Sequence, residues 1–364
     1  MIKRYFKNFT LYILSSFVVV NMSINNIYAN ENILSTDNDF YISSNQTIIN
    51  FENRNSNLPY TEIAKERLLQ SGVSQEFINS MSDSSLELIA NADFVISSSS
   101  YYREVIVDGV SQLIPEQDSW FRGRSNNIIN RPDIDEIARN ISIVDENGNV
   151  IYSPIQPFLT QNVGGGTIQI NTNLFGVQGI LSQFAVISEF FWSGMPSFRG
   201  TDFFGITRSS NTVVIPHVWD RYFAYETDIV RFIAPGTGGP VRQDYLRTES
   251  TLMNNMPNED PNIVGHAIRI NMPNNTLPSQ MFPNQILNGR IHWGARGGLM
   301  YQGALQTPSQ RPQNINHFAT YLHQNSTSWL SSPSVSVPLG VSITVSPSGN
   351  YALPVTDTIL NTWN

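Results

Sequence analysis

Apolar residues recur along this chain with two different periods, and the change falls near residue 94. Before it the spacing is helical. Residues 60–71 place Ile63, Arg67, Leu68 and Leu69 at one-turn intervals and run into Gly72, a natural residue to follow a helix. Ser74 stands where it can cap a second short helix burying Phe77, Ile78 and Met81. Ser84-Ser85-Leu86-Glu87 has the form of a capping box, opening a third helix with Leu86, Ile89 and Ala90 inward. Three short helices joined by tight turns predict a small cap packed on the domain that follows.

From Phe94 onward the period is two. Residues 101–107 are aromatic and β-branched and end at Asp108-Gly109, and 141–144 and 150–152 flank Asp145-Glu146-Asn147-Gly148-Asn149, a composition that predicts a hairpin turn. That loop lacks calcium-loop spacing, since Gly148 is misplaced and Gln156 occupies the twelfth position. Residues 167–174 alternate Ile168, Ile170, Thr172 and Leu174 on one face, whereas 184–192 are apolar on both faces, as a central strand is. Residues 213–215, 229–233, 263–272 and 286–293 continue the series. Residues 335–345 alternate apolar with small residues, and Pro338 within them predicts an edge or a bend. Residues 199–205 read as a tight loop. Residues 234–240, with two prolines and no lysine, read as a surface turn and not a phosphate loop.

Many strands, turns rich in Pro and Gly and no long helix predict a mainly β protein, with antiparallel β-sandwich-like domain(s) preceded by a small three-helix segment. The expected divisions are a signal peptide at 1–29, a flexible leader at 30–58, a helical unit at 59–93, a small β-rich domain at 94–163 and a large antiparallel β domain at 164–364. The last boundary is drawn at Gly164-Gly165-Gly166.

The amino terminus carries the expectation about location. Lys3, Arg4 and Lys7 precede an apolar stretch of about a dozen residues, and Ile27-Tyr28-Ala29 ends in a small residue. A spanning helix needs ~20 apolar residues, so this order predicts a cleaved export signal and not an anchor. The chain has no cysteine for a lipid anchor. Leu353-Pro354-Val355-Thr356-Asp357 departs from a sorting signal at Asp357 and is read as part of a terminal strand. The expectation is a secreted or extracytoplasmic protein, peripherally retained at most, with no integral membrane segment after cleavage.

Charge narrows the partners. Without the first 29 residues, 18 cations face 29 acids, a formal charge of −11. That surface repels phosphate, so nucleic acid is not an expected partner. The absence of cysteine removes disulfides, thiol catalysis and thiolate metal sites. Lys65, the one lysine beyond residue 29, sits in a helical stretch of ordinary charged character and is given no role.

Candidate chemistry is sparse. No zincin, nucleophile-elbow or Ser-x-x-Lys motif occurs. His217, Asp220 and Glu226 are the candidate catalytic residues, because general acid–base work needs an imidazole and a carboxylate within hydrogen-bond reach. On a strand His217 and Asp220 would face opposite sides. His292 and Trp293, with Arg290 and Arg296, are the candidate binding residues. His266 sits on an alternating apolar face and reads as a core histidine, and His317 and His323, six apart, match no chelate spacing. No metal and no cofactor are expected. Trp192, Trp219, Trp293 and Trp329 suit either a core or a sugar-stacking face. The preferred expectation is therefore an exported, non-enzymatic protein that binds a surface glycan or a protein partner. The alternatives are an extracellular hydrolase of polysaccharide or peptide, with Asp, Glu and His assembled by the fold, and a secreted pore-former using residues 334–346.

Overall fold

In the computed structural model, two stacked antiparallel sheets enclose the main core. The structure describes residues 34–35, 40–42, 46–51, 58–116, 131–153, 166–176, 183–208, 211–254, 256, 265–306, 313–324, 334–336, 344–346 and 355–363. The expected signal peptide, Gly164, Gly165, Pro338, Trp329 and the His217 side chain lie outside what is described.

Along the chain come β1 (Leu34–Ser35), β2 (Phe40–Ile42), β3 (Gln46–Asn50), α1 (Tyr60–Gln70), α2 (Gln75–Ser80), α3 (Asp83–Asn91), β4 (Phe94–Val107) and β5 (Val110–Pro115). Next are α4 (Ile134–Arg139), β6 (Ser142–Val144), β7 (Val150–Tyr152), β8 (Thr167–Gly176), β9 (Phe184–Trp192), β10 (Thr201–Arg208), β11 (Thr212–Ile233) and β12 (Arg242–Met253). The remainder are β13 (Gly265–Asn271), β14 (Gln280–Met281), β15 (Ile286–Leu305), β16 (Gln313–Asn314), β17 (His317–Leu322), β18 (Ser334–Ser336), β19 (Thr344–Ser346), β20 (Val355–Ile359) and β21 (Asn361–Trp363). The protein is mainly β, antiparallel, with the helical segment ahead of the sheets. No helix of the described residues is long and apolar enough to cross a membrane.

The larger sheet runs β12-β11-β15-β9-β8-β4-β3, and the smaller β13-β10-β17-β20. Between them pack Ile168, Ile170, Val186, Phe190, Trp192 and Phe223 from one side and Phe204, Ile206, Ile268, Ile270, Tyr321 and Ile359 from the other. Strand β9 explains its own double-sided apolarity. Phe184, Val186, Phe190 and Trp192 enter this core, while Ala185 and Ile187 on the other face meet the helical cap. Gly298 of β15 lets the cap come close. A Cβ there would lie 3.0 Å from Phe77 of α2 and 2.9 Å from both Glu189 and Tyr222.

The cap is tied down by polar groups its own sequence does not advertise. Ser74 caps α2 as expected, accepting from the Phe77 N–H. Helix α3 starts earlier than the capping box implies, with Ser82 at the N-cap and no intrahelical side-chain cap. The reason is an outside carboxylate: the Ser82 N–H and hydroxyl donate to Asp220 of β11 at 3.2 and 3.3 Å. At the other end of α3, Arg67 of α1 turns inward and donates to the carbonyls of Ile89, Ala90 and Ala92.

Other expectations change with tertiary context. Residues 199–205 are not a loop throughout, because Thr201–Arg208 is β10, paired on both sides and buried from Asp202 onward. Residues 213–215 and 229–233 are the two ends of one 22-residue strand, β11, and 286–293 opens the 20-residue β15. Within the segment read as a leader, β3 pairs with β4, adding a strand to the large sheet. β4 also pairs with β8 over ten residue pairs, so the sheet is continuous from one side of Gly164-Gly165-Gly166 to the other. The 145–149 turn forms as expected, with the Asp145 carboxylate accepting from the Asn147 and Asn149 N–H groups.

Candidate functional site

Strands β11 and β15 are long enough, at roughly 3.3 Å per residue, to run past the sandwich as a ribbon of roughly 70 Å. One face of that ribbon carries the helical cap on Tyr222 and Ala224. Farther along, the same face carries a second small module, in which α4, β6 and β14 pack on Val230, Phe232 and Ile291. The polar stretch between the two modules holds Glu226, Asp228, Trp293 and Arg296.

One irregularity sets that face. Ala224 pairs with Arg296 and Glu226 with Trp293, so β15 has one residue more than β11 over this step, at Gly294, whose φ is 65°. The bulge brings Trp293 and Arg296 to the same face, whereas regular alternation would set residues three apart on opposite faces. The Arg296 guanidinium accordingly reaches Glu226 at 3.1 Å and Glu76 of α2 at 2.7 Å. Ser250 of β12 donates to Glu226 at 2.6 Å.

Of the expected catalytic set, Asp220 and Glu226 are not brought together. Asp220 holds the start of α3, and Glu226 lies six residues on along the same strand, roughly 20 Å away. The expected binding set divides between faces. His292 pairs with Thr227 on the face opposite Glu226 and Trp293, meets the Thr227 hydroxyl at 2.8 Å through Nδ1, and lies edge-on to Tyr225. Burial, then the charges of Arg199 and Arg290, push its pKa down. Arg290 shares the His292 face and is exposed. The four residues therefore line no common pocket, because alternation and the bulge separate Arg290 and His292 from Trp293 and Arg296. His266 stacks on Trp219 at 4.7 Å, with Arg221 also 3.7 Å from that indole, and burial and the Arg221 charge push it down to about 4. His317, fully buried, meets the Tyr301 hydroxyl. Lys65 pairs with Glu62 on the exposed side of α1.

The strongest cluster of ionisable groups is one the sequence did not reveal. His323, just after β17, holds Asp202 of β10 at 3.0 Å through Nδ1 and Glu104 of β4 at 3.3 Å through Nε2. Asp202 also accepts from the Tyr321 hydroxyl at 2.6 Å and the Gln324 N–H at 2.8 Å, and Glu104 from Ser111 at 2.6 Å and the Ser197 N–H at 2.9 Å. Burial alone would push His323 down, but Asp202 and then Glu104 outweigh it and raise it to about 9. Burial opposes ionisation of Glu104 as well, yet His323, Ser111 and Ser197 bring it down to about 2. The three side chains are at most 1% exposed, so this charged bridge joins the two sheets and is closed to a substrate.

The open chemistry lies on the ribbon face, beyond Glu226. Arg131, half-exposed, donates to the buried carboxylate of Asp228 at 2.6 Å and lies 4.7 Å from the Tyr245 ring and 5.9 Å from Trp293. A shallow pocket of about 300 Å³ opens beside it, lined by Arg131, Asp133, Ile134, Asp135, Gln243 and Tyr245. Asp133 caps α4 by accepting from the Asp135 and Glu136 N–H groups, and Asp135 accepts from Gln243. The Pro132-Asp133 start signal of α4 was present in the sequence and unused, whereas Tyr245 lies on a strand with no apolar alternation. Among the described residues no group of three or more His, Asp or Glu side chains forms a metal site. The chain matches no protein-family model and no curated protein sequence.

Proposed function

We propose that this chain is an exported, non-catalytic binding protein that takes a neutral glycan on the ribbon face around Arg131, Tyr245 and Trp293. The observation that carries the reading is the Arg131–Tyr245–Trp293 platform beside an open pocket, with planar polar groups at its rim. Sugars are recognised by aromatic faces against their C–H surfaces and by few, well-placed polar groups. A net negative chain favours an uncharged saccharide over a polyanion. Asp220 and Glu226, two of the residues expected to serve a hydrolase, are meanwhile engaged with Ser82 and with Ser250 and Arg296. Export rests on the basic and apolar order of residues 1–29. The test is titration of the purified protein with neutral hexose and N-acetylhexosamine oligosaccharides, followed by tryptophan fluorescence and calorimetry. Saturable binding lost in Tyr245→Ala and Arg131→Ala, but kept in Lys65→Ala, supports the reading. No saturable response to any of these saccharides defeats it.

A second reading, membrane insertion, is favoured by one specific observation. Strands β18 and β19 pair antiparallel with Val335 opposite Val345, Ser334 opposite Ser346 and Ser336 opposite Thr344 in the backbone register. Residues 324–356, which connect the paired strands β17 and β20, contain no Asp, Glu, Lys or Arg. That is the composition of a strand pair with one lipid-facing side. Dye release from liposomes, abolished by Val335→Asp, supports it, and intact liposomes at all protein concentrations remove it.

A further inference from the structure

Strand β12 is the outermost strand of the large sheet and pairs only with β11. Twelve residues long and mostly exposed, it has no second backbone partner among the described residues. Long open edges are templates for pairing with another strand, and proteins ordinarily blunt them with charge. The charges on β12 have an order that does the reverse.

The register with β11 shifts between Ile229 and Val230: Ile229 faces Arg247 and Val230 faces Tyr245, so Leu246 is an extra residue. This bulge resets the alternation. Arg242 and Asp244, opposite Ile233 and Arg231, then share a face with Arg247 and Glu249, opposite Ile229 and Thr227. In a regular strand the two pairs would point to opposite sides. In the single chain Arg247 closes on its same-face neighbour Glu249 at 2.6 Å, as this placement requires. The sign sequence along that face is plus, minus, plus, minus.

We infer that β12 pairs antiparallel with β12 of a second copy of this chain, about a two-fold axis normal to the sheet between Tyr245 and Leu246. In that register Arg242 faces the partner's Glu249, Asp244 faces the partner's Arg247, and Gln243 faces the partner's Thr248. A two-fold axis normal to the sheet keeps each face in common, so all four charges of both copies meet unlike charges on one side. Parallel pairing has no two-fold axis of this kind. The edge is thus self-complementary, and the pairing would join two large sheets into one. Helix α4 does not compete for this edge through its known contact, since Asp135 meets β12 through the Gln243 side chain on the other face. The glycan reading is independent of this inference. If both hold, the two Tyr245 platforms lie next to each other across the axis and bind a repeating polymer with avidity.

The experiment is sedimentation velocity on the wild-type protein and on charge variants, over a wide concentration range at low and high salt. The expected result is a concentration-dependent dimer for wild type, loss of the dimer in Glu249→Arg, and its recovery in Arg242→Glu/Glu249→Arg, which restores unlike pairs. Mixing Asp244→Cys chains with Arg247→Cys chains should give disulfide-linked heterodimers, conveniently read in a cysteine-free background. A wild-type monomer at every concentration overturns the inference. So does a dimer that Glu249→Arg leaves intact, or one whose charge-swapped double variant stays monomeric. Circular dichroism of each variant confirms that it is folded.

Discussion

Replacing His323 by Gln should cost several kcal/mol and remove a defined part of the protein's pH dependence. The imidazolium sits between Asp202 and Glu104, at 3.0 and 3.3 Å, in a site at most 1% exposed. Removing one partner of a buried ion pair leaves uncompensated charge and costs about 3–5 kcal/mol. The pH dependence gives a second, independent figure. His323 rises from 6.5 to about 9 on folding, so its stabilisation is fully present below pH 6.5 and is lost as pH rises through 9. That shift corresponds to on the order of 3 kcal/mol, in line with the first figure. Glu104 moves the other way, from 4.5 to about 2, so its stabilisation is present above pH 4.5 and is lost as pH falls through 2. Both contributions to stability are therefore complete between pH 4.5 and 6.5. Urea unfolding followed by tryptophan fluorescence at pH 6 and pH 10 checks both statements. Wild type should lose stability across that interval, and His323→Gln should lose clearly less, starting from a value about 3–5 kcal/mol lower at pH 6. A variant within about 1 kcal/mol of wild type at pH 6, or one with the wild-type decline from pH 6 to 10, would refute the bridge as a charged, stabilising element.

Three further perturbations probe how the helical cap is held. Glu189 of β9, fully buried beneath α2, accepts from the Ser74 N–H at 3.0 Å and the Tyr222 hydroxyl at 2.7 Å, and burial pushes it up to about 7. Its raised pKa gives stability that is full below pH 4.5 and is lost as pH rises through 7, so Glu189→Gln should flatten the stability profile in that window, read by chemical denaturation. Gly298→Ala forces a Cβ to within 3.0 Å of Phe77 and should cost about 1–3 kcal/mol, with faster amide exchange confined mainly to α1–α3. Arg67→Ala strands the carbonyls of Ile89, Ala90 and Ala92 and should cost about 2–3 kcal/mol in thermal unfolding, while Lys65→Ala, on the exposed side of the same helix, changes stability by less than about 0.5 kcal/mol.

Legibility in the sequence followed burial on both sides of an element. β9 could be bounded from its sequence alone because core lies on each of its faces, and α1 because Gly72, with φ of 80°, ends it. β10 was hidden for the opposite reason. Asp202, Gly205, Thr207 and Arg208 interrupt its apolar run, and their polar groups find partners only in the assembled sandwich, as Asp202 does with Tyr321 and His323. β12 was hidden because both its faces meet solvent, so no period-two signal exists to be read. The buried bridge was out of reach of any local pattern, since His323 lies 121 residues from Asp202 and 219 from Glu104.

The two features of the surface that point to a function share a deeper reason for being illegible. Each depends on a single inserted residue that breaks alternation: Gly294 brings Trp293 and Arg296 to one face, and Leu246 brings Arg242 and Asp244 to the face of Arg247 and Glu249. A period-two reading assigns each of these sets to opposite sides, and so discards the combinations that could act together. Hydrophobic residues report a bulge poorly here, because the stretch of ribbon between the two apolar modules has little apolar surface to register it. Deleting Leu246 then separates the bulge from the order of charge on the face. The deletion makes Tyr245 adjacent to Arg247, so β12 alternates regularly with Arg242, Asp244, Arg247 and Glu249 still on one face and in the same order of sign, and the deletion protein should remain a dimer with Tyr245 facing its own copy across the axis. A folded deletion protein that sediments as a monomer would show that the order of charge on this face is not what pairs the two copies.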